Sequence, residues 1–512
     1  MASLTFHRAS YGYHAGPRDL FEDLQFGLSD GWTGIVGANG SGKTTLLRIA
    51  CGELKPREGT VSAPSSVVYC PQRTDDPPPD LDAFLASIDG DAYRWRGQLG
   101  VEDDYSARWT TLSHGERKRA QLATALWRVP VLLAVDEPTN HLDAPARRRV
   151  IEALRVHHGI GLLVSHDREL LDDLCTRCLF VLPPRVVLRS GGYTVAREGI
   201  LADDRVLRET RSKAQAEERR LVWERRVRQR HQEIGEKAKS LRGVNPRDSD
   251  ARQKAYAARV SDSGAGKRLR QLEGRISQAK AAQDVGPLLP PEKLGIGITG
   301  QRSPRNALVR RPGGVLPLGE GRSLTTPDLL MQPSDRVALV GPNGSGKSTL
   351  LRSLVEDLAV DDDRVIVVPQ EITAEASVEI HTAARAATGE RLGETMHWVS
   401  RLGSDPRRVL DSALPSPGEV RKLLLATKLA LRPHLIVMDE PTNHMDLPSI
   451  ECLEEALSEC SCGLLLVSHD RAFLRRLTEI VWSIAPLDRS GAAYELAVRL
   501  GHEPDHGYPD RN

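Results

Sequence analysis

Two segments of the 512-residue chain carry the same phosphate-binding pattern, G-x-x-x-x-G-K-[ST], at residues 37–44 and 341–348. Each follows a short apolar run and precedes a leucine-rich stretch, which predicts a strand, a loop and a helix in that order. The glycines allow backbone N–H groups to turn inward at a helix N-terminus and bind anions, and the lysine adds a charge for the β- and γ-phosphates of a nucleotide. The residues predicted to bind it are Gly37, Asn39, Gly40, Ser41, Gly42, Lys43, Thr44 and Thr45 in the first loop, and Gly341, Asn343, Gly344, Ser345, Gly346, Lys347, Ser348 and Thr349 in the second.

The similarity between the two halves extends well beyond these loops. Three further landmarks recur in the same order and at an almost constant offset, namely Ser113, Asp136 and His166 in the first half, and Ser416, Asp439 and His469 in the second. A shared offset indicates an internal duplication, which has to be recognised before any fold is assigned. The sequence therefore predicts two tandem copies of one α/β nucleotide-binding domain.

Each copy contains an apolar run that ends in an Asp-Glu pair, at residues 132–137 and 435–440. Continuous apolar runs of this length are typical of buried parallel strands, and ligands bind at the carboxyl ends of such strands. The residues predicted to hold Mg²⁺ here are Asp136 with Thr44, and Asp439 with Ser348. The glutamates that follow, Glu137 and Glu440, are predicted to polarise the attacking water.

A histidine follows the next apolar run of each copy, inside a repeated Ser-His-Asp-Arg segment. A single histidine in such a place would more often be structural. Two histidines in register with all the other motifs favour a function, because an imidazole beside the phosphates can orient the γ-phosphate and the attacking water. We therefore count His166 and His469 among the predicted catalytic residues.

Together these motifs resemble those of ATP-binding cassette proteins, in duplicate. Leu112-Ser113-His114-Gly115-Glu116 resembles the family's signature, Leu-Ser-Gly-Gly-Gln/Glu, and Ser416-Pro417-Gly418-Glu419 resembles it in the second half. Both depart from the pattern, because His114 and Pro417 replace the first glycine and Pro415 stands in place of the leucine. Gln72 and Gln370 resemble the family's glutamine that links Mg²⁺ and water to the helical subdomain.

The resemblance implies that ATP and Mg²⁺ bind at two shared sites. In this family two cassettes face each other head to tail, and each ATP lies between the phosphate-binding loop of one half and the signature of the other. By resemblance, Lys43, Asp136, Glu137 and His166 would work with Ser416 and Gly418, and Lys347, Asp439, Glu440 and His469 with Ser113 and Gly115. Either Tyr11 or Tyr13 could stack on adenine in the first half, and no matching aromatic residue precedes Gly341.

The segment between the two halves is basic, although the whole chain has a net charge of only +1. Residues 201–280 contain 22 Lys/Arg and 12 Asp/Glu. Residues 209–240 and 251–282 have helical composition, and the turn formers at 243–250 separate them. The pattern predicts a projecting helical hairpin, and the dense arginines Arg225, Arg226, Arg228 and Arg230 indicate contact with a phosphate backbone, most simply that of RNA.

This linker, together with the repeated Pro-Thr-Asn-His-Leu/Met-Asp segments at 138–143 and 441–446, is similar to that of the ABC-F proteins. The resemblance implies a ribosome-associated ATPase that enters the tRNA exit site, contacts rRNA and tRNA, and directs its linker toward the peptidyl-transferase centre. Such proteins rescue ribosomes from antibiotics or serve general translation. We expect a cassette at 1–198, the linker at 199–290, a second cassette at 291–500 and a tail at 501–512, in a monomer whose two cassettes pair within one chain.

Other functional classes fit less well. No stretch has the roughly 18–20 uninterrupted apolar residues of a membrane helix, and the N-terminus lacks the apolar core of a signal peptide, so the sequence predicts a cytoplasmic protein without a membrane domain. A double ATPase subunit of a membrane importer would not be expected to carry a long basic hairpin. A regulatory or DNA-associated ATPase would usually carry zinc-binding cysteines or very long coiled coils, whereas Cys175-x-x-Cys178 is a lone pair.

Overall fold

The computed structural model describes residues 2–13, 19–140, 142, 144–238, 250, 271–282, 300–319, 321–358, 364–411, 416–429, 432–443, 445–487 and 492–501. The chain divides into two compact units, of which one comprises Met1–Ala196 with Lys293–Asn512 and the other comprises Arg197–Glu292. The first unit contains both nucleotide-binding halves. The domain limits inferred from the sequence, including the tail at 501–512, stay a prediction.

The first half contains two sheets and six α-helices within its described residues. Its strands are β1 (Ser3–Tyr11), β2 (Phe21–Ser29), β3 (Gly31–Val36), β4 (Glu58–Ser62), β5 (Val67–Cys70), β6 (Leu132–Asp136), β7 (Ile160–Val164), β8 (Cys175–Leu182) and β9 (Arg185–Ser190). Its helices are α1 (Lys43–Ala50), α2 (Leu81–Ala86), α3 (Gly90–Leu99), α4 (His114–Trp127), α5 (Ala144–Arg155) and α6 (Arg168–Leu174), with a 3₁₀ turn at Trp109–Thr111.

The main sheet of the first half has the strand order β5-β6-β7-β3-β8-β9, and every neighbouring pair is parallel except β8 and β9. A separate antiparallel sheet has the order β2-β1-β4. Strands β6 and β7 are buried along their whole length, as expected of parallel strands that are covered on both faces. The carboxyl ends of β3, β6 and β7 therefore meet at one edge of the sheet.

The second half repeats the parallel core of this arrangement. Its strands are β10 (Val309–Arg311), β11 (Gly314–Gly319), β12 (Arg322–Thr326), β13 (Leu329–Met331), β14 (Arg336–Val340), β15 (Val365–Val368), β16 (Leu435–Asp439), β17 (Gly463–Val467), β18 (Ile480–Pro486) and β19 (Ala493–Leu500). Its helices are α9 (Lys347–Glu356), α10 (Ala374–Ala386), α11 (Gly389–Arg401), α12 (Pro406–Asp411), α13 (Pro417–Leu429), α14 (Leu447–Ser458) and α15 (Arg471–Leu477).

The second main sheet has the order β11-β12-β19-β18-β14-β17-β16-β15, and β10 pairs separately with β13. Strand β14 lies between β17 and β18, as β3 lies between β7 and β8 in the first half. Apolar residues on both sides of this sheet form two buried clusters, one of which includes Ile436 and Leu464 and the other Val437 and Leu465. The predicted duplication of a parallel α/β fold is confirmed.

The other unit is helical in its described part. Helix α7 (Tyr193–Ala238) begins earlier than the helix predicted at 209–240, because residues 193–208 contain no proline and only one glycine to interrupt it. The described part of the next helix, α8, covers 271–281. Leu221 of α7 packs against Leu272 and Ile276 of α8. The predicted turn at 243–250 lies outside the described residues except for Asp250.

Helix α8 runs antiparallel to α7, since residues further along α8 contact residues earlier on α7. Leu221 packs against Leu272, whereas Glu218 pairs with Lys280 at 3.9 Å. Among the helices in the described ranges, none combines the length and the apolar character needed to span a bilayer.

Candidate nucleotide-binding sites

The two phosphate-binding loops have the same backbone conformation. Gly42 and Gly346 immediately precede helices α1 and α9 with φ values of 97° and 92°, and Gly40 and Gly344 have φ values of 75° and 76°. These left-handed conformations favour glycine because a Cβ atom would strain them. At Gly42 a Cβ would also lie 2.8 Å from Leu20. Each loop therefore presents backbone N–H groups at a helix N-terminus, which is a site for an anion.

The loop lysines lie at the centre of these cradles. Lys43 Nζ donates to the carbonyl oxygens of Gly37 at 2.9 Å and of Ala38 at 3.2 Å. Lys347 Nζ makes the equivalent bonds to Gly341 and Pro342, both at 2.9 Å. Burial lowers the pKa of Lys43. Both ammonium groups are therefore held inside the loop, where a phosphate would meet them.

The residues predicted to hold Mg²⁺ lie beside each loop. The Thr44 hydroxyl donates to Asp136 Oδ2 at 2.7 Å, and the Ser348 hydroxyl donates to Asp439 Oδ2 at 2.8 Å. Hydroxyl and carboxylate oxygens are the ligands that Mg²⁺ takes in proteins, so both pairs fit this ion. Gln72 lines the same cavity of about 480 Å³ as Thr44 and Asp136, whereas the described side chain of Gln370 is exposed.

The loops also retain unused polar groups. Within the described part of the chain, the buried hydroxyl oxygens of Ser41 and Ser345 have no hydrogen-bond partner. Buried polar atoms without a partner are uncommon in folded proteins and call for an explanation. A phosphate oxygen in the loop would supply that partner in both halves.

The two glutamates share one environment. Glu137 and Glu440 have φ values of 49° and 48°. The backbone N–H of Glu137 donates to the carbonyl oxygen of Val164 at 2.9 Å, and that of Glu440 donates to the carbonyl oxygen of Val467 at 2.8 Å. Left-handed backbone is strained for a residue with a side chain, and such strain concentrates at functional sites. Burial raises the pKa of both carboxyl groups to about 8, and the charge of Asp136 adds to the effect at Glu137.

Each glutamate faces the predicted histidine of its own half. Nε2 of His166 lies 3.2 Å from Oε1 of Glu137, and Nε2 of His469 lies 3.4 Å from Oε1 of Glu440. Burial and the nearby charge of Lys43 lower the pKa of His166 to about 3. His166 is therefore a neutral imidazole at physiological pH, which suits it to orient a hydrogen-bonded group rather than to neutralise charge.

The signature serines begin the helices α4 and α13. Ser113 caps α4 through a reciprocal pair of bonds with Glu116, and the hydroxyl of Ser416 donates to Glu419 at 2.8 Å while accepting from its N–H at 3.3 Å. Such a capping box fixes the first turn of a helix. The substitutions of the first signature glycine, by His114 and Pro417, are therefore accommodated without losing this turn.

One cavity of about 370 Å³ contains parts of both halves. Ser416 and Gly418 of the second signature line it together with Asn39, Gln72 and His166. The structure thus brings the first phosphate-binding loop and the second signature to one place. Ser113 and Gly115 line neither this cavity nor the one around Thr44.

Contacts between the halves include residues that the sequence analysis did not single out. The backbone N–H of Asn39 donates to Asp446 Oδ2 at 2.5 Å. Arg168 pairs with Glu454, which is fully buried, and with Asp470 at 3.6 Å. Asp446 ends a repeated Asn-His segment, and Arg168 ends a repeated Ser-His-Asp-Arg segment. Their recurrence in both halves was the only sequence feature that could have indicated a function for them. His141, Asp143 and His444 lie outside the described residues.

A buried cation on each signature helix was also missed. Lys118 Nζ donates to the carbonyl oxygens of Pro71 at 2.7 Å and Asp136 at 2.8 Å, and burial lowers its pKa to about 8. Its counterpart Arg421 donates to the carbonyl oxygens of Asn443, at 2.7 Å, and of Gln370. Each cation thereby ties the signature helix to the predicted Gln segment, and Lys118 also reaches the end of β6.

Of the two tyrosines considered for adenine, Tyr13 is the one beside the first loop. It lines the cavity around Lys43 and Thr44, and its hydroxyl lies 2.9 Å from Thr45 Oγ1. Tyr11 contacts the Tyr13 ring edge-on, with the centroids 5.3 Å apart, and does not line that cavity.

Comparison with known proteins agrees with this geometry. A sequence model of the family described as ABC transporter matches residues 21–140 and 324–443. The tylosin resistance ATP-binding protein TlrC of Streptomyces fradiae is 32% identical over 93% of this chain and 96% of its own length. The ATP-binding protein Uup of Caulobacter vibrioides is 30% identical over 94% of this chain and 76% of its own. The ribosome protection protein VmlR of Bacillus subtilis is 26% identical over 91% of this chain and 84% of its own length.

Solved structures show the same fold. A chain described as RNase-L Inhibitor superposes with a TM-score of 0.59 and 19% sequence identity, covering 96% of this chain and 90% of that one. The fold and the duplicated motifs define a protein with two tandem ATP-binding cassettes. Within that class, the chain belongs to the ABC-F family.

Proposed function

We propose that this protein is an ATPase that binds the ribosome and protects it from antibiotics or regulates translation. The observation that carries the proposal is similarity along nearly the whole chain to a ribosome protection protein and to a tylosin resistance protein. The basic segment at 201–280 supports the same conclusion, since Lys and Arg residues bind nucleic acid by neutralising its phosphates.

In the proposed ATPase cycle, the loops bind the triphosphate and the strand-end acids act on water. Mg²⁺, bound through Thr44 with Asp136 and through Ser348 with Asp439, would neutralise phosphate charge. Glu137 and Glu440 would accept a proton from the attacking water, for which carboxyl pKa values of about 8 are suitable. His166 and His469 would hold the water and the γ-phosphate in line.

The closed state is proposed to form when ATP lies between one loop and the opposite signature. The shared cavity with Asn39, Ser416 and Gly418, and the bond from Asn39 to Asp446, support this for the first site. We propose the symmetric pairing of the second loop with Ser113 and Gly115 from the family resemblance alone. In this proposal the protein acts in the cytoplasm and binds at the tRNA exit site of the ribosome. Closure of the cassettes would then orient the linker toward peptidyl-tRNA.

The central test is co-sedimentation with ribosomes. The Glu137→Gln/Glu440→Gln variant with ATP should pellet with ribosomes and inhibit translation in vitro, because it keeps the phosphate cradle and loses the water-activating groups. The wild type with ATP should release more readily, and Lys43→Ala/Lys347→Ala serves as the control that cannot close on nucleotide. A trapped variant that stays in the supernatant at every salt concentration would contradict ribosome binding and favour another role for the ATPase.

Antibiotic protection and general translation are separated by a second measurement. A susceptible host carrying the gene should tolerate a ribosome-targeting drug better than the same host carrying the Lys43→Ala/Lys347→Ala variant, and the two hosts should grow alike without the drug. Replacing 244–249 by two glycines should abolish this protection without abolishing ribosome association. Full protection after that replacement would mean that the linker is only a spacer between the cassettes.

A further inference from the structure

Helix α7 carries an exposed tryptophan in the middle of its basic stretch. Trp223 is 67% exposed, the largest aromatic side chain among the exposed hydrophobic residues. No other aromatic ring of the described residues contacts it. Exposing an indole to water forgoes a large gain from burial, so its position calls for a partner outside the described structure.

The residues around Trp223 form a stripe along the helix. Arg219, Arg226 and Arg230 lie four residues before it and three and seven residues after it, which places all of them on one helix face. All three are exposed. Leu221, which packs against α8, points to the opposite side. The stripe therefore lies opposite the face that packs against the described part of α8, and it extends for roughly 16 Å.

The charges of this stripe are not neutralised within the described part of the linker. Arg220 pairs with Glu217 at 2.7 Å and Arg228 pairs with Glu224 at 2.5 Å. In contrast, no carboxylate of the described residues pairs with Arg219, Arg226 or Arg230. Within the described part of the linker, three guanidinium groups without a carboxylate partner thus flank one exposed indole, which is the combination that binds single-stranded nucleic acid through phosphates and a stacked base.

We propose that Arg219, Trp223, Arg226 and Arg230 form a binding surface for an unpaired segment of ribosomal RNA. The indole stacks on one exposed base, and the three guanidinium groups pair with the phosphates on either side. RNA offers unstacked bases in loops and bulges, which aromatic side chains bind. Trp223 precedes the predicted turn at 243 by 20 residues, so this surface belongs to the stem of the linker, which favours rRNA over a tRNA met at the turn.

This inference rests on the proposed ribosome-binding function for the source of the RNA. The test measures equilibrium binding of the full-length double glutamine variant, with ATP, to ribosomes stripped of tRNA, over a series of salt concentrations. Trp223→Ala should weaken binding roughly 5- to 150-fold, the range seen for loss of one stacked base. Trp223→Tyr should retain affinity within about threefold of the parent. Trp223→Leu should be as weak as the alanine variant, since a leucine is apolar but cannot stack.

Salt dependence separates the two kinds of contact. Trp223→Ala should weaken binding equally at all salt concentrations, because no phosphate contact is lost. The triple variant Arg219→Gln/Arg226→Gln/Arg230→Gln should instead reduce the slope of log K against log salt by about 2, at roughly 0.7 per phosphate of a single strand. Val206→Ala removes another exposed apolar side chain of the same helix and should change neither quantity.

Each remaining outcome decides a different point. Unchanged binding of Trp223→Ala, or wild-type affinity of Trp223→Leu, would overturn the stacking surface while leaving ribosome binding intact. If the parent does not bind ribosomes, the proposed function fails, and the same variants are then measured with an unstructured RNA oligonucleotide. A Trp223 effect there would retain the RNA surface and refute its ribosomal source, and no effect would refute both. An effect on ribosomes that is absent with purified rRNA would point to a ribosomal protein and overturn the proposal.

Discussion

The two phosphate-binding loops have the same pattern and backbone, yet their asparagines are engaged differently. The backbone of Asn39 is bound to Asp446 of the opposite cassette, whereas the side chain of Asn343 lies 3.2 Å from His469 of its own cassette. The surroundings differ as well, because Tyr13 lines the first site and an arginine approaches the second loop, where a Cβ on Gly344 would lie 3.4 Å from Arg322.

The proposed catalytic groups, in contrast, are almost identical in the two cassettes. Glu137 and Glu440 match in backbone conformation, in their contact with a histidine and in the direction and size of their pKa shift. Duplication has therefore preserved the groups that would act on water and the phosphate-binding loops themselves, while the described surroundings of the loops differ at Tyr13 and Arg322. We expect the two sites to be alike in chemistry and unlike in binding.

The largest expected effect comes from the glutamates and tests whether the two sites are alike in chemistry. Glu137→Gln/Glu440→Gln should reduce ATP turnover by a factor of about 10² to 10⁴, which is typical of losing a general base. Each single variant should lose turnover at its own site only, as measured by phosphate release in a single turnover. Glu102→Gln is the control, since Glu102 is exposed and pairs with Arg108 away from both loops. Undiminished turnover in the double variant would contradict the assigned role.

A second variant tests the contacts between the cassettes. Glu454 is fully buried between Arg168 of the first cassette and Arg476 of the second. Glu454→Gln should lower the free energy of unfolding by about 3 kcal/mol, because removing one member of a buried ion pair leaves the other charges uncompensated. The measurement is the shift in the urea midpoint.

The matched control for this pair is Arg475→Gln. Arg475 pairs with Glu169 across the same cassettes at 2.7 Å, but its side chain is 57% exposed. Surface pairs contribute about 0–1 kcal/mol, so this variant should unfold almost as the wild type does. Equal losses in the two variants would show that burial does not set the strength of these contacts.

How far the sequence could predict these sites depends on how local each feature is. The loops, the strand-end acids and the histidines are short patterns, and the sheet order brings them together because β3, β6 and β7 end at one edge. The bond from Asn39 to Asp446 joins residues far apart in the chain and depends on how the cassettes pack. Lys118 lies within an ordinary helical sequence, and only its burial against the carbonyls of Pro71 and Asp136 reveals its contacts.

The linker shows the same limit. Its net charge and helical composition could be read from the sequence, because both are properties of a continuous segment. The early start of α7 was also readable, since residues 193–208 lack helix breakers. The bond from the Tyr193 hydroxyl to Glu451 of the second cassette at 2.6 Å could not be read, because it joins residues far apart in the chain. The exposure of Trp223 could not either, because it depends on which helix face α8 covers.

The pH dependence of ATP turnover tests whether the two proposed general bases are alike. A general base acts only when ionised, and both glutamates have pKa values of about 8. In Glu440→Gln and in Glu137→Gln, kcat/KM for ATP should therefore rise about tenfold per pH unit below 8 and level off above it. If the pH at which kcat/KM levels off differs by more than one unit between the two variants, the two sites are chemically different.

The same groups should make the folded protein less stable as the pH rises. Their pKa values are raised above the usual glutamate value, so the folded state binds more protons than the unfolded state between about pH 4.5 and 8. Their contribution is thus fully present below this range and is lost as pH rises through it. Urea midpoints of the double glutamine variant should decline less over the range than those of the wild type.

The smallest expected effect concerns Tyr13 and tests whether the sites differ in binding. Tyr13→Ala, made in a Lys347→Ala background that leaves only the first site, should weaken ATP binding by about 1 kcal/mol, roughly fivefold in Kd, because the half-exposed ring can cover only one face of adenine. Tyr13→Phe should bind as the parent does, since the ring and not the hydroxyl stacks. In a Lys43→Ala background, which leaves only the second site, Tyr13→Ala should change nothing. Calorimetric titration with ATP measures all three. Equal Kd values for Tyr13→Ala and its parent at the first site would remove the ring from nucleotide binding, and the contrast between the two sites would then rest on Asn39 and Asp446 alone.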